Sequence, residues 1–160
     1  MKRDGIMRKT DREIKDFEDI LDILRRCDTV RLGINGSEHP YVVPLSFGFE
    51  VKEGKLIIYI HGARQGFKHE LLELDNRVCI EADICHRFAE FGGCITAEYE
   101  SVIGFGRAEV ITDENEANHG LELLLEHCGY GGFAYDRAAL KVTKVFKIVL
   151  DSITGKRLLI

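Results

Sequence analysis

From residue 30 to residue 111 the chain alternates apolar and polar residues in short runs, most of them closed by glycine, asparagine or aspartate. A period of two places successive side chains on opposite faces of a strand, so each run predicts a β-strand with one buried face. The alternation is most regular in YVVPLSFGFE, residues 41–50. The other predicted strands cover residues 30–34, 56–61, 77–84, 94–103, a stretch that ends near 111, and 142–150. This patterning predicts a mainly β protein.

Tight turns indicate how the first strands are connected. Asn35-Gly36 and Glu53-Gly54 are turn sequences that join neighbouring strands of a hairpin. The three strands that they connect are therefore predicted to form an antiparallel meander. Pro44 has no N–H to donate, so its strand is expected at a sheet edge or at a bulge. Residues 85–93 show no clear alternation and are interpreted as an irregular connection.

The predicted strand over residues 94–103 has two unlike faces. One face is largely apolar and aromatic, and the other is polar and acidic. The first face consists of Ile95, Ala97, Tyr99, Ser101 and Ile103, and the second of Thr96, Glu98 and Glu100. Gly104 and Gly106 permit a bulge or a sharp bend before the next strand.

Helices are predicted at three places. Thr10 and Glu13 have the spacing of a capping box, which predicts a helix that begins there and ends near Cys27. Apolar residues at the spacing i, i+4, i+7 predict a short helix that starts at Phe67. A third helix is expected to begin at Asp113 and to stop at Gly129. Residues 138–140 are interpreted as a single further helical turn.

Many short strands with glycine bends, and few helices, predict an α+β chain built on a six- to seven-stranded antiparallel split β-barrel. Its length of 160 residues fits one domain, with a helical segment over residues 1–27 and the barrel with its helices over residues 28–160. A barrel of this size fills its interior with side chains. A large ligand would therefore bind outside it, and burying that ligand would require a second subunit.

Composition excludes several classes of function. A net charge of −5 disfavours a general nucleic-acid or membrane-surface binder. No stretch approaches the ~20 apolar residues of a membrane span, and the N-terminus lacks the apolar region of a signal peptide, so a cytoplasmic protein is expected. The five cysteines are odd in number and form no CxxC pair, which disfavours a disulfide framework. Cys85, His86 and Cys94 match no common zinc spacing, and no metal site is predicted.

The segment LIIYIHGARQGFKHELL, residues 56–72, joins a strand to a helix through a polar elbow. Lys68 lies in the first turn of that helix, where the backbone N–H groups and the helix dipole favour an anion. A strand, a glycine elbow, a helix start and a lysine are together compatible with a phosphate cradle. The alternative is an ordinary strand-to-helix turn with a solvated lysine. His69, on the same helix, is expected to be solvated.

These segments together resemble the pyridoxamine 5'-phosphate oxidase-like split-barrel flavoproteins, and within them most of all the 5-nitroimidazole reductase (Nim) group. The matching stretches, in chain order, are PYVVPLSFGFE, IYIHGARQGFKHELLE, NRVCIEAD and YESVIGFGRAEVI, followed by the closing KIVLDSITGKR. The first four span most of residues 40–111. The set as a whole is specific, although no single stretch is.

The resemblance implies an FMN site shared between two subunits. It implies that the strand containing Val43, Pro44, Leu45 and Ser46 lines the flavin through its backbone. It further implies that His61, Gly62 and Ala63 pass beside the ring and ribityl chain and that Lys68 holds the phosphate. Ser101, and with it Tyr99 on the same face, would approach the cofactor from a later strand. For Tyr99 a place in the core is an equal alternative.

The function implied is that of a homodimeric FMN-dependent oxidoreductase that passes electrons from a reduced donor to a small organic acceptor such as a nitroaromatic. His61 is the candidate catalytic residue because histidine titrates near neutral pH and suits proton donation. A histidine that is merely hydrogen-bonded at the strand end is the alternative. The rival function is a split barrel that holds flavin or haem without turnover.

Two departures count against the vitamin oxidase activity itself. Those oxidases end in a substrate motif with arginine and histidine, whereas this chain has no histidine after His127. They also carry a basic residue immediately before the phosphate lysine, and Phe67 occupies that position here. Pyridoxamine 5'-phosphate is therefore a less favoured substrate than a nitroaromatic.

Overall fold

The computed structural model describes residues 7–134 and 142–160. Within these residues eight strands form one antiparallel sheet in the order β3-β2-β6-β7-β8-β5-β4, with β1 paired to β8. Three α-helices and a short 3₁₀ turn accompany the sheet. The strands are β1 (Glu13–Ile14), β2 (Val30–Ile34), β3 (Tyr41–Leu45), β4 (Gly48–Lys52), β5 (Lys55–Ala63), β6 (Arg77–Phe91), β7 (Cys94–Val110) and β8 (Thr143–Leu158). The helices are α1 (Phe17–Arg26), α2 (Phe67–Leu74) and α3 (Glu114–His127).

The sheet is the predicted split barrel, and its core lies between the inner faces of the strands. Alternate residues of β2, β5, β6 and β8 are buried together, as the period of two predicts. The two end strands, β3 and β4, are joined directly by Ser46 and the fully buried Phe47. The inner residues of the four strands include Val30, Leu32, Ile58, Ile60, Ile80, Ala82, Phe146 and Ile148.

The prediction that the first three strands form an antiparallel meander is wrong. Residues 41–50 form two strands rather than one, and these strands lie at opposite ends of the sheet order. β3 pairs with β2, while β4 pairs with β5. The alternation hid the break because Phe47 stays in phase with the apolar positions on both sides of it. Pro44 does lie on an edge strand, as its missing N–H predicts.

The prediction of an irregular connection over residues 85–93 is also wrong. β6 continues to Phe91 and returns as β7 through Gly92 and Gly93, whose φ values of 61° and 77° suit a tight turn. The strand pattern is obscured here because this part of β6 is largely exposed on both faces, so apolar and polar residues do not alternate. Arg87 pairs with Glu98 of β7 while its own side chain stays mostly exposed. A bulge between Cys85 and Arg87 adds one residue, His86, to the β6 side.

β7 is a single strand of 17 residues with the expected bulge at its glycines. The two faces of β7 are the reverse of the usual arrangement, in which apolar residues are buried and polar residues are exposed. The polar face is buried, with Glu98 and Glu100 only 7% and 6% exposed, whereas Ile95 and Ile103 are 74% and 40% exposed. The carboxylates can be inside because Arg87 and Arg26 pair with them there. Tyr99 thus lies on the outer face, which excludes the core alternative.

The helices close the barrel and cover part of its outside. α1 starts later than predicted, because Asp16, and not Thr10, accepts a hydrogen bond from the backbone N–H of Glu18 at 2.9 Å. The apolar face of α1 enters the barrel core. α3 is capped by Asp113 as predicted and covers the outer face of β5, where Tyr59 packs against Gly120.

Two further points concern the limits of the helices. Gly129 follows α3 with φ 82°, which agrees with its predicted role as the helix stop. The helical turn predicted for residues 138–140 lies outside the described residues. Among the helices that the structure describes, none has both the length and the apolar composition needed to cross a membrane.

Candidate functional site

The end of β5 and the start of α2 form the predicted elbow between strand and helix. β5 runs through His61 and Gly62 to Ala63, so the connection is only residues 64–66. Gly66 is the N-cap of α2 with φ 136°, and it has no side chain to accept from the first N–H groups. The helix start is therefore open to an external anion. The ring of Phe67 packs edge-on against Tyr41 of β3 at 5.2 Å, which brings β3 to this end of the barrel.

Lys68 reaches back over the end of β5. Its Nζ donates to the backbone carbonyl of His61 at 3.3 Å and lies 5.7 Å from the ring centre of Phe146. A Cβ at Gly62 would stand 2.8 Å from Nζ, so glycine leaves the space that the ammonium occupies. Burial lowers the pKa of Lys68, because a desolvated ammonium is less stable. Among the described residues no carboxylate lies within salt-bridge distance of it.

His61 occupies the rim next to Lys68. Its backbone pairs with Val145 of β8, and its side chain remains open to solvent. Partial desolvation, and secondly the positive charge of Lys68, lower the pKa of His61 from its ordinary value of 6.5. At neutral pH the ring is therefore mainly uncharged. Such a histidine can offer an N–H to a ligand at the rim, or deliver a proton at lower pH.

A second set of side chains at this end was missed by sequence reasoning. His69 is buried, at 7% exposure, and is not solvated as expected. Its Nδ1 lies 3.1 Å from the carboxylate of Glu73, and its Nε2 is in hydrogen-bond contact with the Nζ of Lys144. The ring also packs edge-on against Phe146 at 5.9 Å. The signal for this cluster is slight, since Lys144 lies 75 positions away in the sequence.

The β3 segment runs from Tyr41, which contacts Phe67 of α2, toward Leu45, which pairs with Val30 just after α1. Pro44 and Ser46 are exposed, whereas Val43 and Leu45 are half-buried and pack against the core. Because β3 pairs with β2 along one edge, its other edge keeps N–H and C=O groups for a ligand. The structure thus brings the predicted residues of β5 and α2 together, whereas Leu45 pairs with Val30, just after α1, several residues along β3 from the contact between Tyr41 and Phe67.

Tyr99 and Ser101 are the predicted site residues that the structure does not bring to this end. In β7 they pair with Leu158 and Lys156, whereas His61 pairs with Val145 at the other end of β8. Thirteen residues of β8 separate these two positions, on the order of 40 Å along a straight strand. Within one chain the predicted site is therefore in two parts.

Two open cavities flank the start of β8. One has a volume of about 680 Å³ and is lined by Arg64, Lys144 and the first residues of α3. The other, of about 460 Å³, is lined by His69, Glu73 and Phe146 among others. The Lys144–His69 contact therefore lies between two solvent-filled spaces. Within residues 7–134 and 142–160, no group of three or more His, Cys, Asp or Glu side chains is arranged to hold a metal ion.

Comparison with known protein families identifies the class of protein to which this fold belongs. Residues 16–157 match the family model described as pyridoxamine 5'-phosphate oxidase. The chain therefore belongs to the pyridoxamine 5'-phosphate oxidase-like family. The comparison with curated proteins gave no match.

Solved structures support the same assignment. A protein named for 5-nitroimidazole antibiotic resistance, from Bacteroides thetaiotaomicron VPI-5482, is 32% identical, with a TM-score of 0.80, and the match covers 90% of this chain and 85% of that one. The flavocytochrome Anf3 of Azotobacter vinelandii is 21% identical, with a TM-score of 0.81 and coverage of 99% and 75%. The FAD and heme binding protein of Mycobacterium smegmatis is 20% identical, with a TM-score of 0.76 and coverage of 91% and 73%. The last two likenesses show the fold alone.

Proposed function

We propose that this protein is a cytoplasmic, homodimeric FMN-binding oxidoreductase that reduces a small organic acceptor such as a nitroaromatic. The observation that carries the proposal is the half-buried ammonium of Lys68 beside the open N-terminus of α2. A desolvated cation without a carboxylate partner among the described residues is costly unless a ligand neutralises it. In a chain of this family, 32% identical to a protein named for nitroimidazole resistance, a flavin phosphate is the anion that fits.

The residues present fit such a cofactor. Lys68 and the first N–H groups of α2 would hold the phosphate, and Gly62, by lacking a Cβ, leaves room for the ammonium of Lys68 beside it. The unpaired edge of β3, together with Gly62 and Ala63, would contact the flavin through backbone groups. FMN supplies the redox chemistry when it is bound, and the protein supplies binding, orientation and electrostatics. His61 is proposed to orient the acceptor or donate a proton to it.

A dimer is part of the proposal because one chain carries the site in two parts. Tyr99 and Ser101 face outward on β7, on a surface that also exposes Ile103 and Phe105. A two-fold partner would place this surface against the lysine end of the first chain and complete two equivalent sites. We expect a dimer in sedimentation at micromolar concentration. A strictly monomeric protein that still bound FMN tightly would contradict the shared site.

The direct test begins with the absorption spectrum of the purified protein, followed by chromatography of the released cofactor. We expect a flavin spectrum and FMN in the extract. Anaerobic photoreduction, then addition of a nitroimidazole, should return the oxidised spectrum at a rate that depends on acceptor concentration. A protein that binds no flavin under any loading condition would refute the proposal.

A non-catalytic flavin- or haem-binding protein is the second candidate. It is favoured by the fold shared with a flavocytochrome and with an FAD and heme binding protein. Haem and flavin absorb differently, so the same spectrum separates them. A flavin that is photoreduced normally but not reoxidised by any nitroaromatic would favour binding without turnover. Pyridoxamine 5'-phosphate oxidation is less favoured, because Phe67 occupies the position immediately before the proposed phosphate lysine.

A further inference from the structure

A second lysine projects onto the same face as Lys68. Lys144 of β8 is directly opposite Gly62 of β5 in the antiparallel pairing. Residues that are opposite each other on neighbouring strands project to the same side of the sheet, about 5 Å apart at Cβ. The Nζ of Lys68 lies 2.8 Å from the position that a Cβ on Gly62 would take. The two ammonium groups therefore share the end of the barrel that α2 covers.

His69 and Glu73 determine where the ammonium of Lys144 points. A protonated lysine has only donors, so the Nε2 of His69 must be the acceptor in their contact. The Nδ1 atom then carries the proton and lies 3.1 Å from the carboxylate of Glu73, which favours that tautomer. The ring is buried and held edge-on against Phe146, so it has little freedom to turn. Lys144 is thus positioned by a fixed acceptor, whereas most surface lysines move freely.

The charges at this end do not balance. Among residues 7–134 and 142–160, no carboxylate forms a salt bridge with Lys68 or Lys144. Glu73 contacts the cluster only through His69, and its side chain is 68% exposed. Lys147 lies three residues further along the same strand and by contrast pairs with Glu116 at 2.9 Å. Two half-buried cations, neither of which forms a salt bridge among the described residues, suit an anion of more than one charge.

We propose that Lys144, positioned by His69 and Glu73, is a second cation for the terminal phosphate of the cofactor, together with Lys68. This inference rests on the proposed function. A phosphate monoester carries about −1.5 to −2 charges at pH 7 and has three acceptor oxygens, so it can bind two ammonium groups at once. The His69–Lys144 contact fixes the second ammonium at the end of the barrel where Lys68 lies. The pair thus makes the site selective for flavins that carry a phosphate.

The test compares FMN with riboflavin, which lacks the phosphate. Both are titrated into the apo form of the full chain, as wild type, Lys144→Met and Lys147→Met. We expect Lys144→Met to weaken FMN binding by about 10-fold or more, the loss of one charge-assisted contact, and to change riboflavin binding less than about twofold. Lys147→Met, the matched control, should leave both affinities unchanged. An equal change for both flavins, or no change for FMN, would overturn the inference.

Variants of His69 test the positioning role. His69→Gln keeps an acceptor near the position of Nε2 and should retain most of the preference for FMN. His69→Leu removes the acceptor and should lower that preference about as much as Lys144→Met does, without a further loss in the double variant. If His69→Leu does not fold, His69→Gln alone tests the role. A His69→Gln variant that loses the preference for FMN over riboflavin as fully as Lys144→Met does would overturn the positioning role. A wild-type protein that binds neither flavin would refute the proposed function itself, a result distinct from these.

Discussion

The α1 end and the α2 end of the barrel both contain charged side chains. Only at the α1 end does each of these charges have a partner of opposite charge. At the α1 end Glu100 accepts from Arg26 at 2.7 Å and lies 3.0 Å from a ring nitrogen of His86. Glu98 accepts two hydrogen bonds from Arg87 and a third from the backbone N–H of Ile160. Both buried carboxylates of the described part of the chain thus have a cationic partner. These contacts lower the pKa of Glu98 to about 2 and also lower that of Glu100.

At the α2 end the ammonium of Lys68 faces a backbone carbonyl, and that of Lys144 faces a histidine ring. The pKa of Lys68 is lowered by burial, which is the reverse of what pairing with a carboxylate would cause. Paired charges close the α1 end and stabilise the fold. The charges without a carboxylate partner at the α2 end are the basis of the proposed anion site. Four predictions test this distinction, from the largest expected effect to the smallest.

The first prediction concerns a histidine at each end. His61→Asn should reduce turnover of a nitroaromatic by about 100-fold if His61 donates a proton, while FMN remains bound. His86→Asn, at the α1 end, should leave turnover unchanged. Because the pKa of His61 is lowered from 6.5, the wild-type rate should rise as the pH falls below that value. Stopped-flow reoxidation of the reduced flavin measures both effects. Equal rates in all three proteins would mean that His61 is only a structural residue.

The second prediction compares a cation from each end. Lys68→Ala should weaken FMN binding by about 10- to 150-fold, because one charge-assisted hydrogen bond is worth roughly 1.5–3 kcal/mol. Riboflavin should bind the variant almost as well as it binds wild type, and the melting temperature of the apo-protein should barely change. Arg87→Ala, the control, should lower stability and leave FMN affinity as it is. If Lys68→Ala reduced the affinities for FMN and for riboflavin by the same factor, the lysine would not be a phosphate ligand.

The third prediction compares a carboxylate from each end by urea unfolding. Glu100→Gln should lower the free energy of unfolding by about 1–2 kcal/mol, since it removes the charge that pairs with Arg26 and His86. Glu73→Gln should change it by less than about 0.5 kcal/mol, because the side chain is largely exposed. FMN affinity should not respond to Glu100→Gln. Similar stability losses in both variants would remove the contrast between the two ends.

The fourth prediction concerns acid stability. The pKa of Glu98 is lower in the folded state than its ordinary value of 4.5, so the unfolded chain binds the proton first as the pH falls. The contribution of Glu98 is complete above about pH 4.5 and is lost progressively toward pH 2. Melting temperatures measured from pH 6 to pH 3 should therefore fall less steeply for Glu98→Gln than for wild type. Parallel curves would show that Glu98 is not held by its partners in solution.

Local patterns in the sequence were enough to predict most of the elements. A period of two depends only on neighbouring residues, so the strands of β2, β5 and the first part of β6 were recovered. The cap at Asp113 and the stop at Gly129 were also local features. The position of Lys68 in the first turn of a helix was predicted for the same reason.

Contacts between distant parts of the chain decided the rest. The direction in which Glu98 and Glu100 face depends on Arg87 across the hairpin and on Arg26, 74 positions away. The strand order depends on the break between β3 and β4 at Ser46 and Phe47, which alternation cannot reveal. The sequence determined which residues are strand, helix and helix start. Only the tertiary structure decided which charges meet a partner and which two lysines share an unpaired end, because pairing is a matter of distance in space and not of spacing along the chain.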